Sequence, residues 1–170
     1  MRLRRAWLAV LATGLAACGG SNSTIGEPVQ RLENLELSQS QGRTPGWNLK
    51  AASAVLQESD KNAALVEPRM EIFKNGRPAT RLSARAGFLR TDNNDLRLST
   101  GVVVTSLEDG AILKTEELLY SSARAKFFTE KEVTIIRKDG VVHGQGLEAS
   151  PDLSKVTIFN QRTQLKDGGG

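Results

Sequence analysis

Three Asn-Gly or Asp-Gly pairs, Asn75-Gly76, Asp109-Gly110 and Asp139-Gly140, recur along the chain at a nearly even spacing. Each follows a run of alternating apolar residues, such as Met70-Glu71-Ile72-Phe73 or Val133-Thr134-Ile135-Ile136, and each precedes another strand-like segment. Such pairs tolerate the positive φ angles of a type I′ turn, which makes them the strongest short-range hairpin signal. Leu49-Lys50-Ala51, Leu82-Ser83-Ala84, Leu113-Lys114-Thr115 and Gly144-Gln145-Gly146 recur in step with them, at the same period. This pattern predicts one β-unit used about four times and stacked so that neighbours cover each other's apolar edges.

The segments between the turns read as strands over 35–38, 47–57, 65–74, 80–89, 96–107, 112–120, 126–137, 141–149 and 156–165. Gly101 inside the fifth suggests a bulge or bend. The alanines of 51–57 favour a helix by composition, but the segment aligns with the repeat and is read as strand. No other segment carries a helical period. Short strands punctuated by turn signals predict an all-β domain over residues 35–166, with a tail at 167–170. Alternation turns one face inward. The inward set is Leu49, Met70, Ile72, Leu82, Phe88, Leu96, Leu98, Val102, Val104, Leu113, Leu118, Tyr120, Phe128, Val133, Ile135, Val141, Leu147, Val156 and Ile158.

The N-terminus reads as a targeting segment. Arg2, Arg4 and Arg5 precede an apolar run from Ala6 to Ala17, which is too short for a bilayer core of about 20 residues and fits the h-region of a signal peptide over residues 1–17. Leu15-Ala16-Ala17 leads into Cys18, the single cysteine of the chain. Small residues before a cysteine resemble a bacterial lipobox, in which the thiol is acylated and becomes the lipid anchor. An ordinary signal peptide with an incidental Cys18 is the alternative. Residues 18–34, with Gly19-Gly20-Ser21-Asn22-Ser23-Thr24 and Pro28, read as the anchor cysteine and a flexible tether. Without the three leader arginines, 20 basic residues face 19 acidic ones. The high isoelectric point therefore belongs mostly to the leader and gives no support to nucleic-acid binding.

No residue set points to catalysis, a metal or a cofactor. His143 is the single histidine, so it cannot build a histidine metal cluster, and no Gly-x-Ser-x-Gly elbow offers it a nucleophile. Glu116 and Glu117 are adjacent on a strand and point to opposite faces. Asp92 and Asp95 sit in an Asn/Asp turn. Gly144-Gln145-Gly146 lacks the following helix of a phosphate loop. Arg81, Arg85, Arg90 and Arg97 lack interleaved aromatics and read as a solvated face that could also meet anionic headgroups.

From about residue 35 to 165 the chain resembles the LptC family, the periplasmic component of the lipopolysaccharide export bridge. The resemblance rests on Trp47-Asn48-Leu49-Lys50-Ala51, on Phe73-Lys74-Asn75-Gly76 followed by Leu82-Ser83-Ala84, and on Leu96-Arg97-Leu98-Ser99-Thr100-Gly101-Val102. It continues through Asp109-Gly110-Ala111-Ile112-Leu113-Lys114-Thr115, Leu118, Tyr120 and residues 140–146. LptA and the N-terminal domain of LptD share similar repeats. The resemblance implies an open, twisted β-jelly roll whose two antiparallel sheets form a V-shaped groove lined by the inward set. Lipid A acyl chains would slide through that groove, received from the inner-membrane ABC transporter. It further implies LptF and LptG at the N-terminal edge, an LptA-like protein at the C-terminal edge, and no enzymatic activity. LptC proteins commonly keep a transmembrane helix, whereas this chain offers Cys18. The expected location is the periplasm, anchored to a membrane, with the family favouring the inner one. A non-catalytic adaptor lipoprotein with a closed β core, or an LptA-like bridge protein, are the alternatives.

Overall fold

The computed structural model describes residues 29–41, 44–57, 61–160 and 162–165. The leader, Cys18 and most of the tether lie outside the described residues. Twelve strands run in chain order as β1 (Val29–Gln41), β2 (Thr44–Gln57), β3 (Asn62–Val66), β4 (Arg69–Lys74), β5 (Arg77–Ser83), β6 (Ala86–Arg90), β7 (Leu96–Ser106), β8 (Ile112–Ser121), β9 (Lys126–Arg137), β10 (Gly140–Ala149), β11 (Val156–Ile158) and β12 (Arg162–Leu165). All pairings are antiparallel, and no helix occurs among the described residues. Residues 51–57 are strand, as the repeat predicts against their helical composition. β1 begins at Val29, so residues 29–33, expected in the tether, pair with β2 instead.

The repeat describes a sheet creased across its strands. β1, β2, β7, β8, β9 and β10 each pass through two half-sheets, and their pairing registers slip or break midway. One half holds β4, β5 and β12, and the other holds β3, β6 and β11. Three segments read as single strands are therefore two each. The 65–74 segment breaks at Glu67-Pro68, 80–89 at Ala84-Arg85, and 156–165 at Phe159-Asn160. The crease is visible in the backbone. Asn34, Glu67 and Thr100 stand one repeat apart with φ of 53°, 49° and 66°, and Gly101 and Gly146 have φ of 68° and 81°. Glu67 N donates to Arg85 O at 2.9 Å and Arg85 N to Thr100 O at 3.1 Å, tying successive strands together along the crease. The Leu-x-Ala motifs of the sequence end where the chain reaches this line. Each repeat is one passage across both halves and back.

The two halves pack on each other. Cross-strand neighbours share a face, and one unbroken row runs Leu37, Leu49, Met70, Leu82, Val104, Leu113, Ile135, Val142 across eight strands. A matching row in the other half runs Ala54, Leu65, Gly87, Leu98 and Leu118. Val104 and Leu113 are fully buried, and the buried residues of both halves form one apolar cluster. Among the described residues no other layer covers them, so each half buries the other. At about 1.5–3 kcal/mol for each fully buried aliphatic side chain, this contact is the main support of the fold.

Most of the expected inward set lies in this interior. Three residues do not. Phe88 is about half exposed on the outer face, and Gly87 and Leu89 turn inward instead. Breaking the strand at Ala84-Arg85 reverses the alternation that begins at Leu82. Val141 pairs with Ile136 on the outer face while Val142 pairs with Ile135, because the bulge at Gly146 reverses the alternation that holds for Leu147. Phe128 is half-buried outside, beneath the Arg124 guanidinium at 4.9 Å from the ring centroid. Its neighbour Phe127 is the buried one, tilted against Tyr120 with ring centroids 5.6 Å apart. All three Gly turns close hairpins, but only Asn75-Gly76 has positive φ at both residues, as a type I′ turn requires. The β7–β8 turn places positive φ at Gly110 alone and is held by Asp109 Oδ1 accepting from Ala111 N at 3.1 Å.

Candidate functional site

The crease closes one side of the folded sheet. The opposite side is its mouth, where the turns of the two halves face each other. A cleft of about 1000 Å³ opens there, lined from one half by Gly46, Ile72, Lys74 and Ala79, and from the other by Tyr120 and Pro151. The inward row nearest the mouth in the first half is Trp47, Ile72, Thr80 and Ser106, which are cross-strand neighbours. This row is more polar than the all-aliphatic row beneath it. Among the expected groove residues only Ile72 and Tyr120 reach the cleft, while the deeper ones lie in the packed interior. Trp47, Ala79 and Thr80 are absent from the expected set. Alternation with Leu49 could have identified Trp47, whereas Ala79 and Thr80 are too small or too polar to register as core.

One loop crosses the mouth. Ser150 to Lys155, between β10 and β11, reaches from the second half to the first. Thr80 Oγ1 donates to Pro151 O at 2.6 Å, Lys74 Nζ to Asp152 Oδ2 at 2.8 Å, and Arg137 Nη2 to Leu153 O at 3.3 Å. Leu153 is buried with φ of 57°, so this loop inserts an apolar plug beneath its polar latch. Partial burial pushes the Asp152 carboxyl up, but hydrogen bonds from Lys74, Ser150 and Ser154 outweigh it and hold the group well below the usual carboxylate range. A carboxyl depressed by folding contributes stability that is complete above its unfolded value of about 3.9 and is lost as pH falls through the folded value. The latch should therefore hold unchanged from pH 8 to pH 5. Hydrogen-exchange protection of the Leu153 amide, which donates to Ser150 O, should stay constant over that range. Asp152→Ala should lower that protection about tenfold, a loss of about 1–2 kcal/mol for charge-assisted hydrogen bonds. Wild-type protection that falls between pH 8 and pH 5 would contradict this assignment.

The other candidates are accounted for by their surroundings. His143 is exposed on β10, its Nδ1 3.0 Å from Thr134 Oγ1. Arg81, Arg90 and Arg97 pair with Glu71, Asp92 and Glu117 on the outer face. Asp95 Oδ1 accepts from Ser122 N in a turn. Glu116 and Glu117 fall where the β8 register slips at the crease. Among the described residues no group of acidic, histidine or cysteine side chains could hold a metal ion, and no helix is long and apolar enough to cross a membrane.

Comparison with known proteins agrees with this architecture. No curated protein matches the sequence significantly. Among solved structures, the chain is similar to LptH of Pseudomonas aeruginosa, described as the LptA-homologous periplasmic component of the lipopolysaccharide transport device. The match has a TM-score of 0.54 at 12% identity and covers 71% of this chain and 94% of that one, which establishes a shared β-jelly-roll fold. The family model for LptC-related lipopolysaccharide assembly matches residues 27–166, which include every described residue. The chain thus belongs to the LptC family of lipopolysaccharide-assembly proteins.

Proposed function

We propose that this protein carries lipid A acyl chains between its two half-sheets, taking them from the inner-membrane transporter and passing them to the next β-jelly-roll protein. The observation that supports this reading is the asymmetry of the fold's two long sides. The crease is continuous backbone, whereas the mouth is crossed by one loop held by a few side-chain hydrogen bonds. Parting the mouth would offer aliphatic surface to acyl chains at about 25 cal/mol per Å² buried. In the structure the interior is packed, and this favours the second reading of a closed-core adaptor that binds protein alone. A photo-crosslinking residue at Val104 or Ile135 separates the two. Lipopolysaccharide adducts are expected at these inward positions. Adducts confined to outward neighbours such as Val103 would leave the adaptor reading standing.

The sheet's edges suit the partners expected of a bridge. Among the described residues β1 pairs with β2 alone, so its other edge is available for strand addition. At the other end β11 and β12 are short and cover β10 only in part. We assign LptF and LptG to the β1 edge and an LptA-like protein to the β11–β12 edge. Cys18 would serve as the lipid anchor, with eleven residues to Val29 that could reach about 35 Å when extended. Palmitate labelling should vanish in Cys18→Ala, and equal labelling of both proteins would exclude this anchor.

A further inference from the structure

Trp47 carries an unexplained polar atom. Its side chain is 5% exposed, yet the indole Nε1 has no hydrogen-bond partner. Among the described residues one other buried side-chain polar atom shares that condition, Asn48 Oδ1. That oxygen belongs to an outward-facing amide whose Nδ2 donates to Glu36 at 3.1 Å. The indole, by contrast, lies on the inward face, and an orphaned buried donor costs about 1–3 kcal/mol. Phenylalanine or leucine would fill the same apolar position without that cost.

Its position suggests what the donor is for. The residue before it, Gly46, and its cross-strand neighbour, Ile72, both line the cleft at the mouth. Beneath Trp47 the interior is entirely aliphatic through Leu49, Met70, Leu82 and Val104. A chain entering from the mouth would place its hydrocarbon against that row. Its first polar atoms would stop at the level of Trp47. An acyl chain differs from a plain alkyl chain at that depth by one carbonyl oxygen, which is an acceptor and needs a donor once it leaves water.

We infer that Trp47 Nε1–H is a recognition site for the ester or amide carbonyl at the head of a bound acyl chain, setting how deep the chain enters. This rests on the acyl-groove reading and adds a polar anchor point to it. The tail is held without direction by aliphatic contact, and the indole fixes its register. A neutral donor suits this role because a carbonyl carries no charge to be matched.

The test compares two soluble single-chain probes that differ in the carbonyl alone, 1-palmitoyl- and 1-hexadecyl-lysophosphatidylcholine, binding to the full chain. The acyl probe should bind about fivefold tighter than the alkyl probe, the net effect of one neutral hydrogen bond. Trp47→Phe should bring that ratio to about one, and because the ratio cancels any general loss of packing it isolates the indole–carbonyl pair. The chain has two tryptophans, Trp7 and Trp47. In a Trp7→Phe protein, which retains the indole under test, the acyl probe should shift Trp47 emission to the red relative to the alkyl probe. Equal binding of the two probes, or a preference that survives Trp47→Phe, overturns the inference and leaves the groove intact. Binding of neither probe overturns the groove reading and the inference with it.

Discussion

Oxidising a Thr80→Cys/Pro151→Cys double variant should stop lipopolysaccharide passage, and a reductant should restore it. Thr80 Oγ1 donates to Pro151 O at 2.6 Å, so the Thr80 side chain already touches the Pro151 backbone from the opposite lip of the mouth. The crease is continuous backbone and cannot open. An acyl chain that enters from the side to reach Val104 or Ile135 therefore parts the lips. A covalent bond between them removes that motion without touching the aliphatic rows, so the protein should remain folded and gain stability, by about 4 kcal/mol for a disulfide closing a loop of this length. Crosslinking of lipid at Val104 should fall to background in the oxidised protein. Each single cysteine variant should still pass lipopolysaccharide under oxidising conditions, which also controls for pairing with Cys18. Undiminished crosslinking with the disulfide formed would show that lipid does not enter through the mouth.

Much of this architecture is legible in the sequence because hairpin turns and strand alternation are local properties. The Gly turns, the period of the repeat and the inward faces of β7 and β8 all follow from residues near one another. The crease is not local. It appears in the sequence only as a break in phase, and two errors trace to it. Alternation carried on from Leu82 turns Phe88 inward, because the two are an even number of residues apart. The interruption at Ala84-Arg85 shifts the phase, and Leu89 turns inward instead. Val141 fails for the same reason across the Gly146 bulge. Phe128 fails differently, since two adjacent phenylalanines compete and only packing against Tyr120 decides for Phe127. The mouth is illegible altogether. The Ser150–Lys155 loop closes over Lys74 and Thr80 from a distant part of the chain, and no periodicity encodes such a contact.

Val104→Asp should unfold the domain, whereas Val103→Asp, one residue earlier on the same strand, should be tolerated. Val104 is 0% exposed, flanked across the sheet by Leu82 and Leu113. An aspartate there has no cation or donor within the aliphatic row. Burying it unpaired costs upwards of about 4 kcal/mol, a large share of the stability of a typical domain at about 5–15 kcal/mol. Val103 faces outward and half-buried beside Lys114. An aspartate there meets an opposite charge across the strand pair, and its effect should stay within about 1 kcal/mol. Urea titration followed by circular dichroism reads both. The contrast depends on register alone, since the two valines share strand, neighbours in sequence and chemical change. A β7 slipped by one residue would exchange the two outcomes, and equal destabilisation would mean that both faces are covered. Only if Val104 proves intolerant and Val103 tolerant does the single inward row run unbroken from Leu37 to Val142, and only such a row provides one continuous aliphatic track along the sheet for an acyl chain to follow.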